Sequence, residues 1–153
     1  MIIQIDTREK SSQLERIIGH LDKQGVRYVI SKLDVGDYMS LSNNRCVIDR
    51  KQSIGEYACN MGVDHCRFKN EILRAKEQGI KLIFLIEDDK VHSIEDVKKW
   101  WNPNSLFHQK YMTGEMLYKG MKTQIQRYGV EFEFCRKDET GFRIIDLLRK
   151  NGG

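Results

Sequence analysis

Proline is nearly missing from this chain, with one in 153 residues, and its 12 glycines are scattered rather than gathered. A long linker or disordered tail would be rich in both, so residues 1–153 read as one continuously folded unit of single-domain size. Cysteine and histidine are also scarce, at four each. Cys46, Cys59, Cys66 and Cys135 lack the paired spacing of a zinc cage or redox motif, and they read as reduced thiols in or near the core of an intracellular protein. Cys59 with His65 and Cys66 reads as local packing rather than a metal half-site. The longest apolar stretch, Leu82 to Ile86, falls far short of the ~20 residues a membrane helix needs. Asp6, Arg8, Glu9 and Lys10 follow Met1 too soon for a signal peptide. Neither sign of charge dominates: 26 basic and 22 acidic residues leave +4, which permits a nucleic-acid partner without requiring one.

What is present is an alternation of strands and helices. Strands are expected at Ile2 to Ile5, Val26 to Ile30, Asp37 to Leu41, Cys46 to Ile48, Lys81 to Ile86 and Val130 to Phe134. Helices are expected after capping boxes at Ser12/Glu15 and Ser53/Glu56, with a break at Gly62 before a longer helix carrying Phe68, Ile72, Leu73 and Ala75. Further helices are expected from Ser93 toward Trp100, from Thr113 to Tyr128 and from Glu139 to Lys150. Asn102 to Met112 reads as a loop, and Ser42 to Arg45 as the turn of a β-hairpin. The run at 81–86 suits a central strand covered on both faces. Together these predict an α/β fold: a three-layer domain with a central mixed sheet flanked by helices.

The hairpin carries the chemistry. With its turn centred on Asn43 and Asn44, Asp37 falls opposite Arg50 and one position from Asp49; with a bulge or a three-residue turn, Asp37 and Asp49 face each other. In either register two carboxylates converge at one end of the sheet. Lys51, two residues beyond Asp49, shares its face. Two carboxylates suffice for a hard divalent ion that keeps several waters, and a nearby ammonium can orient an attacking water or stabilise charge developing on a phosphate.

Ile5-Asp6-Thr7-Arg8-Glu9, Leu33-Asp34-Val35-Gly36-Asp37-Tyr38 and Val47-Ile48-Asp49-Arg50-Lys51 occur in the order and approximate spacing of the XPF-type nuclease domain, the branch of the PD-(D/E)XK superfamily that includes the archaeal fork nuclease Hef. The resemblance extends through Arg67-Phe68-Lys69, Leu82 to Glu87 and Tyr128-Gly129-Val130, nearly the whole chain. It implies a restriction-endonuclease-like fold and a metal-dependent endonuclease that hydrolyses a phosphodiester in branched DNA such as a flap, fork or junction. It further implies Mg2+ or Mn2+ held by Asp37, Asp49 and Glu9, catalysis by Lys51 with Asp37, Asp49, Glu9 and Asp6, and DNA contacts from Arg8, Arg50, Arg67 and Lys69. Partners would be structured DNA and a second copy in a homodimer, with no membrane and no nucleotide cofactor.

Two departures stand out. Asp49 occupies a position where the family usually has Glu, and Gly55, followed by Glu56, occupies the position of an Asp four residues after the lysine. The helix-hairpin-helix module that usually follows the nuclease domain has no counterpart up to Gly153, which suits a minimal form acting in the cytoplasm of a prokaryotic or phage-infected cell. A non-catalytic DNA-binding or scaffold subunit and a Holliday-junction resolvase are the rival readings. Trp100, Trp101, Phe107 and Tyr111 are expected in a core or dimer contact, with base stacking as the alternative.

Overall fold

In the computed structural model, which describes residues 1–153, the alternating isoleucines of the first strand set the frame. Ile3 and Ile5 in β1 (Ile2–Ile5) lie wholly buried under α1 (Ser11–Lys23), whose Ile17 and Leu21 meet them. Gly25, with φ 64, turns the chain out of that helix into β2 (Arg27–Ile30). Next come β3 (Tyr38–Ser40), β4 (Asn43–Lys51), α2 (Ile54–Met61), α3 (His65–Glu77) and β5 (Lys81–Glu87). The chain finishes with α4 (Gly114–Tyr128), β6 (Glu131–Cys135) and α5 (Thr140–Lys150).

All six strands form one sheet in the order β2-β1-β3-β4-β5-β6, antiparallel where β3 meets β1 and β4 and parallel elsewhere. One face carries α1 and α5 over Ile3, Ile5, Tyr38, Ile48, Ile83 and Leu85. The opposite face carries α2, α3 and α4 over Leu82, Phe84 and Ile86. This is the expected three-layer α/β domain, and β5 is its doubly covered central strand. No helix is long and apolar enough to cross a membrane.

Several expectations are corrected. The hairpin link is Leu41 and Ser42, two residues before the expected turn centre, because β4 already begins at Asn43. Ser40 pairs with Asn43, but Met39 then pairs with Val47 and Tyr38 with Ile48, so an irregularity restores the second of the two registers considered for the site. Helix α1 opens at Ser11 with no side-chain cap, so the Ser12/Glu15 capping box does not form. The segment from Ser93 makes only a five-residue 3-10 turn, Glu95–Lys99, and not an α-helix. Gly114 packs against it so tightly that a Cβ there would lie 2.8 Å from the carbonyl oxygens of both Lys98 and Trp100, which leaves no room for the turn to lengthen. His20, in the last turn of α1, is buried; its Nδ1 accepts the Gly141 N–H at 2.9 Å and its ring stacks on Phe142. Cys59 and Cys66 are exposed, whereas Cys46 and Cys135 are core thiols.

Candidate active site

Backbone chemistry at residue 36 places the first acid. Gly36 has φ 69, and a Cβ there would strike the Val47 side chain and come within 3.0 Å of the Ile48 oxygen, so only glycine lets the chain turn this close to β4. Asp37 leaves that turn with its N–H donating to Ile48 O at 2.8 Å and its Oδ2 accepting the Arg50 N–H at 2.7 Å. The Tyr38–Ile48 pairing, carried one step further, sets Asp37 beside Asp49 on the face covered by α2 and α3. Lys51, next but one along β4, turns to the same face, and its Nζ lies 3.1 Å from Asp49 Oδ1. Beneath the ammonium are the rings of Phe68 and Phe84, with centroids 5.3 and 5.9 Å away.

These three side chains open into a cavity of about 530 Å3 with no hydrophobic residue in its lining. Glu56 and Glu71 contribute further acids, and Arg8, Arg67 and Arg74 contribute cations. Burial and the neighbouring charges of Asp49 and Glu9 push Asp37 well above the ordinary carboxylate range. Burial raises Asp49 to about 6, with Lys51 opposing the rise and Glu71 and Glu56 adding to it. Burial alone would lower Lys51, but Asp49 outweighs it and the ammonium is held above its usual value. Asp37 and Asp49 are thus two buried neighbouring carboxylates whose ionisation is disfavoured, and a cation bound between them would relieve that cost.

Arg50 and Glu9 line the same cavity, but they are paired with each other. The Arg50 guanidinium donates to both oxygens of Glu9, at 3.0 and 2.6 Å, and also to Glu87. Glu87 in turn accepts from Arg16 and from the Thr140 hydroxyl, each at 2.8 Å, while Tyr38 O–H donates to Glu9 at 2.7 Å. Burial would raise Glu9, yet the hydrogen bonds and charge of Arg50 hold it below its ordinary value. Glu9, expected at the metal, thus has its oxygens committed to Arg50 and Tyr38, and Arg50, expected on DNA, is enclosed between two acids. Asp6 is also committed: Oδ1 accepts Leu33 N–H at 2.7 Å and Oδ2 accepts Arg8 Nε at 2.6 Å, which ties the end of β1 to the 33–37 loop. Arg8 and Arg67 are exposed at the rim, whereas Lys69 lines a separate groove between α3 and α4.

Glu71 was not singled out for the site by sequence, whereas Arg74, with Arg67, Lys69 and Lys76, reads from sequence either as a DNA track or as the solvated face of the helix. The signal for Glu71 and Arg74 is helical spacing: in α3 they follow Arg67 at four and seven residues, the repeat that brings side chains onto one face. Glu71 accepts the Gly36 N–H at 3.0 Å. The question of residue 55 also has a geometric answer. Glu56 lines the acidic cavity, its Oε2 accepting Gln52 N–H at 2.8 Å, while Gly55 lies on the other side of the same helix start, facing a different groove.

The ERCC4 domain family model matches residues 5–148, which is nearly the full chain. The chain belongs to the ERCC4 domain family. This is an XPF-type nuclease family of structure-specific DNA nucleases, generally dependent on a divalent metal, as the sequence motifs implied. Two solved structures share the ERCC4 fold seen here. XPF from Aeropyrum pernix is 21% identical with a TM-score of 0.69 over 99% of this chain. XPF from Aeropyrum pernix in complex with DNA is 18% identical with a TM-score of 0.66 over 98%. The chain spans only 65% and 64% of the length of those two proteins. At such identities the likeness establishes the fold. No curated protein matches the sequence.

Proposed function

We propose that this ERCC4 domain is a metal-dependent endonuclease that hydrolyses a phosphodiester in branched DNA. The observation that carries the reading is the convergence of Asp37, Asp49 and Lys51 in an open polar cavity rimmed by arginines. No group of three or more His, Cys, Asp or Glu side chains forms a closed metal cage. The donors nonetheless fit Mg2+ or Mn2+, because such ions take one or two carboxylates and complete their shell with water and substrate oxygens. The raised affinities of Asp37 and Asp49 for protons support the same fit, since burial first and neighbouring carboxylates second disfavour their charge until a cation binds.

Asp37 and Asp49 would hold the ion, which when bound supplies charge neutralisation at the phosphate and a more acidic water. Lys51, kept protonated by Asp49, stabilises negative charge developing on the phosphate oxygens. Arg67, Arg74 and the exposed side of Arg8 draw in the backbone. Glu9, Arg50 and Glu87 act from behind by fixing the ends of β1, β4 and β5 against one another. The four free thiols suit a reducing intracellular compartment.

Flap, fork and four-way junction DNAs incubated with Mg2+ test this reading. Wild type is expected to nick at least one, while Asp37→Ala and Lys51→Ala lose ~100-fold or more in rate yet still bind. Gly55 in the place of a family acid favours a non-catalytic DNA-binding subunit as the second reading. Binding without cleavage would select it. Paired symmetric nicks across a four-way junction would instead select a resolvase.

A further inference from the structure

The side of α2 away from the acidic cavity borders a hollow of about 710 Å3, within the ~300–1,000 Å3 typical of ligand clefts. It is lined by Trp100, half-buried against the core, and by Tyr111 and Met116. His108 and Lys110 supply the charged and titratable groups, and no Asp or Glu is part of the lining. Gly55 leaves the α2 end open: a Cβ there would meet nothing closer than Ser53 Oγ at 3.5 Å. Because Gly55 and Glu56 are consecutive, hollow and acidic cavity are separated by only the first turn of one helix.

We propose that this groove binds unpaired nucleotides of the DNA whose scissile phosphate enters the acidic cavity. The proposal rests on the nuclease reading for the position of that phosphate, but not for the groove's chemistry. Nucleobases stack on aromatic faces whatever their sequence, and the phosphates between them need cations, a combination that an apolar peptide would not require. Tyr111 is 40% exposed, so its ring is available to a ligand rather than committed to the core. A duplex keeps its bases paired and cannot offer them to Trp100 and Tyr111. The groove therefore provides what the acidic cavity lacks, a means of telling a single-stranded arm from continuous duplex.

A labelled 12-nucleotide oligo-dT, titrated without metal while tryptophan fluorescence and label anisotropy are recorded, tests the proposal. Wild type is expected to bind with quenching. Tyr111→Ala combined with Lys110→Ala should weaken dT binding ~10-fold or more and leave blunt-duplex binding unchanged. Gly55→Leu, which fills the groove without removing a packed side chain and improves helix propensity, should weaken it comparably and keeps the test valid if the double variant unfolds. Unchanged dT affinity in a folded variant, or binding without quenching, would overturn the proposal, as would sedimentation showing the groove covered by a second copy. With no metal present, a protein that cuts no DNA could still pass this test, and an active nuclease could fail it.

Discussion

Asp49 makes the site answerable to proton concentration. Its folded pKa of about 6 lies above its ordinary 3.8, so ionisation is penalised in the folded state. That penalty is absent at pH below ~4, grows as pH rises toward 6 and is complete above it. A bound divalent cation would remove it. We therefore expect Mg2+ or Mn2+ to raise Tm more at pH 7.5 than at pH 5, with protons released on binding near pH 6 in calorimetry across buffers. Equal shifts at both pH values would contradict cation binding at Asp49. Asp37 offers a second test, because burial, Asp49 and Glu9 all disfavour its charge. Asp37→Asn retains an oxygen for the Arg50 N–H, and it is expected to gain ~1 kcal/mol, or ~3 °C in Tm, while losing cleavage. A fall in Tm would show that the carboxylate stabilises the fold.

At the scale of elements, the turn before β3 is the sharpest constraint. Gly36→Ala must strain a left-handed backbone and also push its Cβ into Val47, so a loss of ~2 kcal/mol or more is expected in denaturant unfolding, with weaker metal binding because Asp37 moves. Existence and type of the long periodic segments were legible in the sequence: the apolar stripe of α1, β5 with Leu82–Glu87 buried, and the Gly62 break between α2 and α3 all occur where patterning put them. What was not legible depended on partners distant along the chain. The 3-10 turn at Glu95–Lys99 is short because Gly114 sits against its carbonyls, and His20 is buried because Gly141 and Phe142 come to meet it. Local period says nothing about either.

Across the whole molecule, β4 carries two functions on opposite faces. Asp49 and Lys51 face the layer of α2 and α3, while Arg50 joins Glu9, Glu87, Arg16 and Thr140 in the layer of α1 and α5. Sequence placed Glu9 and Arg50 at the site, and both line the cavity, but it could not show that they pair with each other, because this depends on Glu87 and Tyr38 closing around them. Glu87→Ala leaves Arg50 and Arg16 short of a buried partner and is expected to cost ~3–5 kcal/mol by chemical denaturation. An unchanged midpoint would mean that the cluster holds nothing together.

The broken pairing beside Ser40 has a consequence for how this chain can vary. Ladder order is already interrupted between Ser40–Asn43 and Met39–Val47, so one residue gained or lost among positions 41–45 can be absorbed there as slack. Such insertions should leave Tm and metal affinity almost untouched. A single deletion between Val47 and Asp49 has no slack to draw on and would exchange the two faces of the strand, delivering the guanidinium to the cavity and the carboxylate to the core. Length is thus negotiable at one end of a nine-residue strand and fixed at the other.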